Sequence, residues 1–472
     1  MLSDTLWLTI ATVLGLALGF LRELMLLQSF GASAVLDAMI IALFLPEAIR
    51  IVLGGGGLAA AMLPLWLECE KDKRRRWSAT QTMQLVFLTT VISGAMMLAA
   101  PMVVAVLAPG MNVQTAHDAS EFFSITIWCL PAIVLHAVLA TIHQAERRFF
   151  LQGLAGVFFN LPALIYLSIT SAPDLKVVAW CTVLGSMLMP LPLLHGAWRA
   201  EWRPFSSSLD IAAVAVLYRR LGPLIFASAA NQSVVWIERA VASLLGEGTI
   251  VLVNLARKLI NIIAVGLMSL GQVLLSHFSG EDRAKAASLL QNSVRWLLIL
   301  CVPVVSACIL FARPLIAVLP VHLSANQQQT LSWLVMGFAM AVPLAAFNMV
   351  FARWRYGHGD TASSTKVELF GMALQALLAF SLAKFWGVLA IPAAAFIGTA
   401  VMSWLFVRFR LVPLRMRQFL TQLATVAVFS AVAIGIAPTI NGLGAIAALL
   451  LCPLTALLLS SLLYFFHRQT AQ

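Results

Sequence analysis

Fourteen runs of about twenty mostly apolar residues, joined by short polar connections, follow one another along this 472-residue chain. Each is long enough to cross a hydrocarbon core as a helix. They fall near residues 5–28, 33–54 (with an apolar extension to 66), 82–107, 119–142, 150–171, 177–197, 217–244, 249–275, 289–312, 329–351, 366–385, 387–407, 418–437 and 443–465. A backbone in lipid must satisfy its own hydrogen bonds, so the pattern specifies an all-α polytopic membrane protein. The connections leave no room for a soluble catalytic domain, and 10% of residues are charged where a soluble domain carries about a quarter. The first run lacks a basic flank and a small-residue cleavage site, so it is expected to remain as a span.

The basic residues test this reading, because cytoplasmic loops concentrate them. With the N-terminus inside, 22 of the 30 Lys and Arg fall in cytoplasmic segments, among them Lys71–Arg76, Arg147, Arg148, Arg353, Arg355, Arg408, Arg410 and Arg415. An even number of spans with both termini cytoplasmic follows. The net charge of +11 is then a topology signal that suits anionic lipid headgroups and argues against nucleic acid.

Against this background the segment Gly19–Trp66 stands out, since it reads as membrane yet carries Arg22, Glu23, Asp37, Glu47 and Arg50. Ionised groups at that depth face a protein interior or a watery cavity and mark a pathway. Arg22 lies about six residues from the external turn, so it either snorkels or lines a cavity. Arg50 sits near mid-membrane, where it lines a cavity or pairs with Glu47 one turn away. Asp37 serves the positive end of its helix or holds an Arg. In the eighth run Arg257 shares a helical face with Asn261 and neighbours Lys258, and Arg239 lies beside Glu238 in the seventh. A cavity lined by several Arg suits an anion, and phosphate in particular, because the guanidinium fork binds two oxygens at once.

Gly54, Gly55, Gly56 and Gly57 interrupt the second run. As one helix, the run and its extension would be about 50 Å long, too long for a core of about 30 Å, so a bend or hinge is expected there. No nucleotide-binding loop, paired-His motif or CxxC is present, and the six cysteines are scattered. An enzyme, a cofactor and a metal site are therefore not expected, and a transport driving force would come from the membrane potential or a Na⁺ or H⁺ gradient.

A weak internal repeat lays residues 20–50 over 236–266, with Gly31 on Gly246 and Glu23 on Glu238. It predicts two parallel six-helix repeats, residues 1–203 and 204–410, followed by two additional helices in 411–472. Such repeats characterise alternating-access transporters.

FGASAVLDAMIIALFLPEAIR, the small-residue run after it and Pro64 resemble the signature of the MurJ/MviN lipid II flippases, in the MOP (multidrug/oligosaccharidyl-lipid/polysaccharide) exporter superfamily. The resemblance covers essentially the whole chain. It implies a V-shaped, MATE-like bundle in the bacterial cytoplasmic membrane that moves an undecaprenyl-diphosphate-linked glycan to the outer leaflet. It places Arg22, Asp37, Arg50 and Arg257 where the family has cavity residues, and puts the lipid tail beside the last two spans. This chain differs in having Leu16 for an Arg, four glycines for Ala-Glu-Gly-Ala, and Asn261 for an acid. An exopolysaccharide repeat unit therefore stands beside lipid II as cargo, with glycan polymerases or assembly enzymes as partners. The competing readings are a cation-coupled multidrug antiporter of the same superfamily, which the intramembrane Arg disfavour, and a non-transporting scaffold for glycan-assembly enzymes.

Overall fold

The computed structural model describes residues 2–205, 210–262, 283–440, 447, 451–456 and 458–461, and all regular structure among them is helical. Nine helical stretches there are long and apolar enough to cross a membrane, and the longest, Thr361–Arg408, contains two helices in succession. Shorter apolar helices at Leu58–Glu68, Ala155–Ile169 and Leu451–Ser461 accompany them. Each of the fourteen expected runs contains helix. Residues 263–275 of the eighth run and most of the last run's flanks lie outside the described residues. Phe87, Leu98, Met102, Ile169 and Phe385 are more than two-thirds exposed, as suits helices whose outer faces meet lipid.

The chain divides into two compact units, Met1–Gly248 and Thr249–Gln472. The seventh long helix belongs to the first of these units. The first unit comprises α1 (Leu2–Phe30), α2 (Ala34–Val52), α3 (Leu58–Glu68), α4 (Lys71–Leu98), α5 (Ala100–Leu107), α6 (Val113–Thr126), α7 (Cys129–Ala145), α8 (Phe150–Gly153), α9 (Ala155–Ile169), α10 (Leu175–Leu188), α11 (Leu191–Arg199) and α12 (Ile211–Ser243). Side-chain oxygens start several of these helices: Ser33 accepts the Leu36 N–H, Asn112 that of Thr115 and Asp210 that of Ala213. Each satisfies an N–H that has no partner within its own helix.

Packing in this unit relies on close backbone approach and on hydroxyl groups, because lipid supplies no hydrophobic drive between helices. A methyl group on Gly15 of α1 would lie 2.9 Å from the Gly156 Cα of α9. Pro46 has no N–H to give the Ala42 carbonyl one turn earlier, and the Thr126 hydroxyl of α6 donates to that carbonyl at 2.9 Å. The proline in α2 thus helps to hold α6. At the other end of the unit Trp66 is fully buried, its ring 5.9 Å from that of Trp77, amid residues of α3, α4, α7, α11 and α12.

Between α2 and α3 the backbone runs through one π-helical turn, Leu53–Gly57, in which Gly56 adopts φ +100° and ψ 2°. Only glycine enters that region without strain. The long second run is therefore two helices.

The second unit contains α13 (249–262), α14 (Arg283–Leu310), α15 (Ala312–Ala317), α16 (Ala325–Gly357), α17 (Thr361–Trp386), α18 (Ala390–Arg408) and α19 (Met416–Ile440). Ser324 and Gln327 close a reciprocal cap at the start of α16. Deeper in that helix the buried Asn348 amide donates to the Thr399 carbonyl at 2.9 Å and accepts the Ser403 hydroxyl at 2.7 Å, tying α16 to α18. Three helices, α7, α11 and α18, end with a non-glycine residue in the left-handed region: Arg147, Glu201 and Arg410.

Candidate functional site: a buried arginine cluster

α1 and α2 bring Arg22 and Arg50 to a single aromatic ring. Phe159 of α9 has the Arg22 guanidinium carbon 5.8 Å from its centroid and that of Arg50 at 4.8 Å, both within range of a cation–π attraction. The neighbouring Asn160 fixes this part of α9. Its amide donates to the Gly156 carbonyl at 2.7 Å and reaches the Gly15 carbonyl of α1 at 3.5 Å.

Glu47 supplies the counter-charge. Its Oε1 accepts a bond from Arg22 Nη2 at 2.5 Å, with the Arg22 side chain 4% exposed and that of Glu47 19%. Arg22 is thus enclosed by protein rather than snorkelling to headgroups. Arg50, three residues after Glu47 on α2, feels both the carboxylate and the Arg22 cation. Arg22 Nε and Nη1 and Arg50 Nε are buried without hydrogen-bond partners. These N–H groups can receive oxyanions, since an unpaired buried donor is costly and a charge-assisted bond would relieve it.

Two further charged groups belong to the neighbourhood. Arg239 of α12, 7% exposed, lies 4.7 Å from the Phe44 centroid and feels Glu47, Glu23 and Glu238. His136 of α7 is buried within the field of Arg50, its Nε2 without a hydrogen-bond partner. On another side of α2 an almost wholly apolar cavity of about 640 Å³ is bordered by Phe44, Ile49, Leu85, Leu130, Leu221 and Trp236, a lining suited to hydrocarbon.

Asp37 has a different setting. It is 3% exposed in the first turn of α2, where its Oδ2 accepts the Gly248 N–H at 2.6 Å. Gly248 adopts φ +77°, and a methyl group there would fall 2.4 Å from the Ala32 carbonyl oxygen. Asp37 therefore clamps the turn after α12 onto the turn after α1. Gly31 and Gly246, matched in the sequence repeat, both take positive φ in those turns. Nearby, Gly110 donates to the Ser243 hydroxyl at 3.0 Å and Asn112 to Glu247 at 2.9 Å.

In the second unit Arg257 of α13 stacks over Phe338 of α16, its guanidinium carbon 4.0 Å from the ring centroid. Asn261, one turn further along α13, is exposed. Of the residues singled out from sequence, Arg22 and Arg50 thus share one site, Asp37 organises a turn in the same unit, and Arg257 and Asn261 occupy a helix of the other unit. Gly54–Gly57 form the break in the second run. Phe159 was not anticipated, because nothing local in GVFFNLP marks one Phe as a cation platform. The Arg22–Glu47 pair, 25 residues apart, was likewise invisible, although intramembrane charge alone flagged both residues.

Outside the spans, Glu201 pairs with Arg75, and the guanidinium holds its carboxyl below the usual carboxylate range. Among the described residues no group of His, Cys, Asp and Glu is arranged to hold a metal ion.

Among the described residues the fold is an all-helical bundle of membrane-length apolar helices with arginines enclosed on its first two spans, the architecture of a polytopic membrane protein. A solved MATE-family multidrug transporter of the MOP superfamily, inward-facing, superposes with a TM-score of 0.70 over 88% of this chain and 96% of its own, at 16% identity. A lipid II flippase MurJ in an inward closed conformation superposes with a TM-score of 0.82 over 98% of this chain and 99% of its own, at 17% identity. The sequence profile of the MurJ lipid II flippases matches residues 26–454, and this chain belongs to that family. A similar protein is the probable lipid II flippase MurJ of Aquifex aeolicus, 25% identical over 393 residues, which are 81% of this chain and 78% of that one.

Proposed function

We propose that this protein carries a polyprenyl-diphosphate-linked glycan precursor from the inner to the outer leaflet of the bacterial cytoplasmic membrane by alternating access, with both termini cytoplasmic. The observation that carries this reading is the pair Arg22, buried, and Arg50, half-buried, held against Phe159 with N–H groups lacking a hydrogen-bond partner and Glu47 beside them. The diphosphate binds these guanidiniums in competition with Glu47. Arg257, stacked on Phe338, and Asn261 one turn away are further candidate headgroup ligands, and the apolar cavity beside α2 accepts hydrocarbon. Asp37 acts indirectly, by fixing the turn that positions α2. The two six-helix repeats, 1–203 and 204–410, move against each other, and the glycine break at Gly54–Gly57 lets the second span flex. The sequence has no nucleotide-binding loop, and the energy comes from the membrane potential or a Na⁺ or H⁺ gradient.

Lipid II is the first cargo to test. The chain would be expressed in a bacterium depleted of its own lipid II flippase, scoring survival and outer-leaflet lipid II. Rescue that is lost on Arg50→Ala supports flipping of the peptidoglycan precursor. Failure of a membrane-inserted protein to rescue would assign the cargo to an exopolysaccharide repeat unit, read as loss of surface polysaccharide in a deletion strain.

A further inference from the structure

The second unit contains a cavity that the transport reading does not use. α18 ends at Arg408, and the chain turns through Phe409, Arg410 and Leu411 before α19 begins at Met416. The Arg410 N–H donates to the Val407 carbonyl at 3.1 Å and the Leu411 N–H to the Phe406 carbonyl at 2.9 Å, the paired closure that glycine usually serves. Here Arg410 takes the left-handed position, φ +52°.

This turn borders a cavity of about 740 Å³ whose lining includes Arg355, Arg408, Arg410 and Arg415 beside apolar Val412 and Leu414. Asp360 pairs with Arg355 and is the one carboxylate ion-paired to any of the four among the described residues. Arg355 Nη1 also donates to the Leu411 carbonyl at 3.3 Å, which fixes the turn, while its Nε is buried without a hydrogen-bond partner. Glu368, the next acid along, is engaged by Tyr356 and Ser364. The bias of basic residues toward the cytoplasm accounts for arginines in loops. It does not require four of them around one hollow that also has an aliphatic wall.

We propose that this cavity binds the phosphodiester headgroup of an anionic phospholipid from the cytoplasmic leaflet. The guanidiniums take the phosphate oxygens, and Val412 and Leu414 lie against the start of the acyl chains. Basic pockets at the cytoplasmic ends of membrane helices suit such headgroups. The site lies wholly within the second unit and does not depend on which lipid-linked glycan is carried.

The test measures lipid binding to the purified full-length protein by native mass spectrometry, titrating phosphatidylglycerol and phosphatidylcholine. Three variants are compared: R408Q/R410Q/R415Q, Arg410→Gly, and a control set Arg147→Gln with Arg148→Gln. Phosphatidylglycerol is expected to bind the wild type about tenfold more tightly than phosphatidylcholine. The triple variant should lose that preference and the control set should keep it. Arg410→Gly relieves the left-handed backbone, so it folds at least as well as wild type and should still weaken phosphatidylglycerol binding. Equal binding by wild type and triple variant, or equal loss in the control set, would overturn the proposal. Displacement by soluble glycerol 3-phosphate at concentrations matching the lipid would overturn the lipid assignment in favour of a free phosphate ester.

Discussion

The two units handle positive charge in opposite ways. In the first, Arg22, Arg50 and Arg239 lie deep in the bundle among Glu47, Glu23 and Glu238, with rings beneath them. In the second, Arg408, Arg410 and Arg415 are exposed around an open cavity, and Arg257 rests on Phe338 within the span. A buried cation needs a partner charge or it destabilises the fold. An exposed cation is solvated and needs none. The first arrangement is therefore expected to couple binding to stability, and the second to leave stability untouched.

The strongest way to break this comparison is Arg50→Ala set beside Arg257→Ala. Losing charge-assisted bonds of about 1.5–3 kcal/mol each should lower flipping about 10- to 100-fold for Arg50→Ala, with a smaller fall for Arg257→Ala, measured as outer-leaflet precursor in complemented cells. Equal effects would show that the two arginines matter equally for transport.

Next in size is Glu47→Gln, which leaves two arginines without their carboxylate and should cost about 3 kcal/mol, read as a lowered Tm in detergent. Glu47→Leu combined with Arg22→Met should recover part of that loss, since Arg22 is no longer stranded while Arg50 still lacks its carboxylate. No recovery would show that the cluster's value is not electrostatic.

Gly248→Ala comes third. It meets the Ala32 carbonyl at 2.4 Å in a left-handed turn and should cost about 1–3 kcal/mol, visible as faster amide exchange near Asp37.

The smallest effect belongs to Glu201→Gln. The Glu201 carboxyl is held below its free value by Arg75, so its contribution is present above the unfolded carboxylate pKa of about 4.3. That contribution is lost as pH falls through the lower folded value. Both partners are exposed, so Tm should not move measurably between pH 7 and pH 5, nor on the substitution itself. A clear shift would place this pair with the buried ones.

What could be read from sequence was whatever the chain encodes locally. Long apolar runs appear as helices, Gly54–Gly57 as the break in the second run, and Gly31 and Gly246 as matched positions, which the structure shows to be turn glycines of positive φ. Intramembrane Arg22 and Arg50 announced themselves because hydrocarbon makes charge conspicuous. Pairings between distant helices were illegible for the opposite reason. Thr126 donating to the carbonyl freed by Pro46, Phe159 beneath two guanidiniums and Glu47 against Arg22 depend on helix rotation and approach, which no run of residues records. Asp37 illustrates the boundary: its depth was predictable, but its partner Gly248 lies 211 positions along the chain.

That last bond has a mechanical consequence. By riveting the turn after α12 to the turn after α1, Asp37 and Gly248 remove degrees of freedom from one rim of the first unit, so compliance must concentrate away from it. Of the helices fastened there, α2 runs into the glycine tract near its far end, and in a lever pinned at one end that tract is where bending is expected.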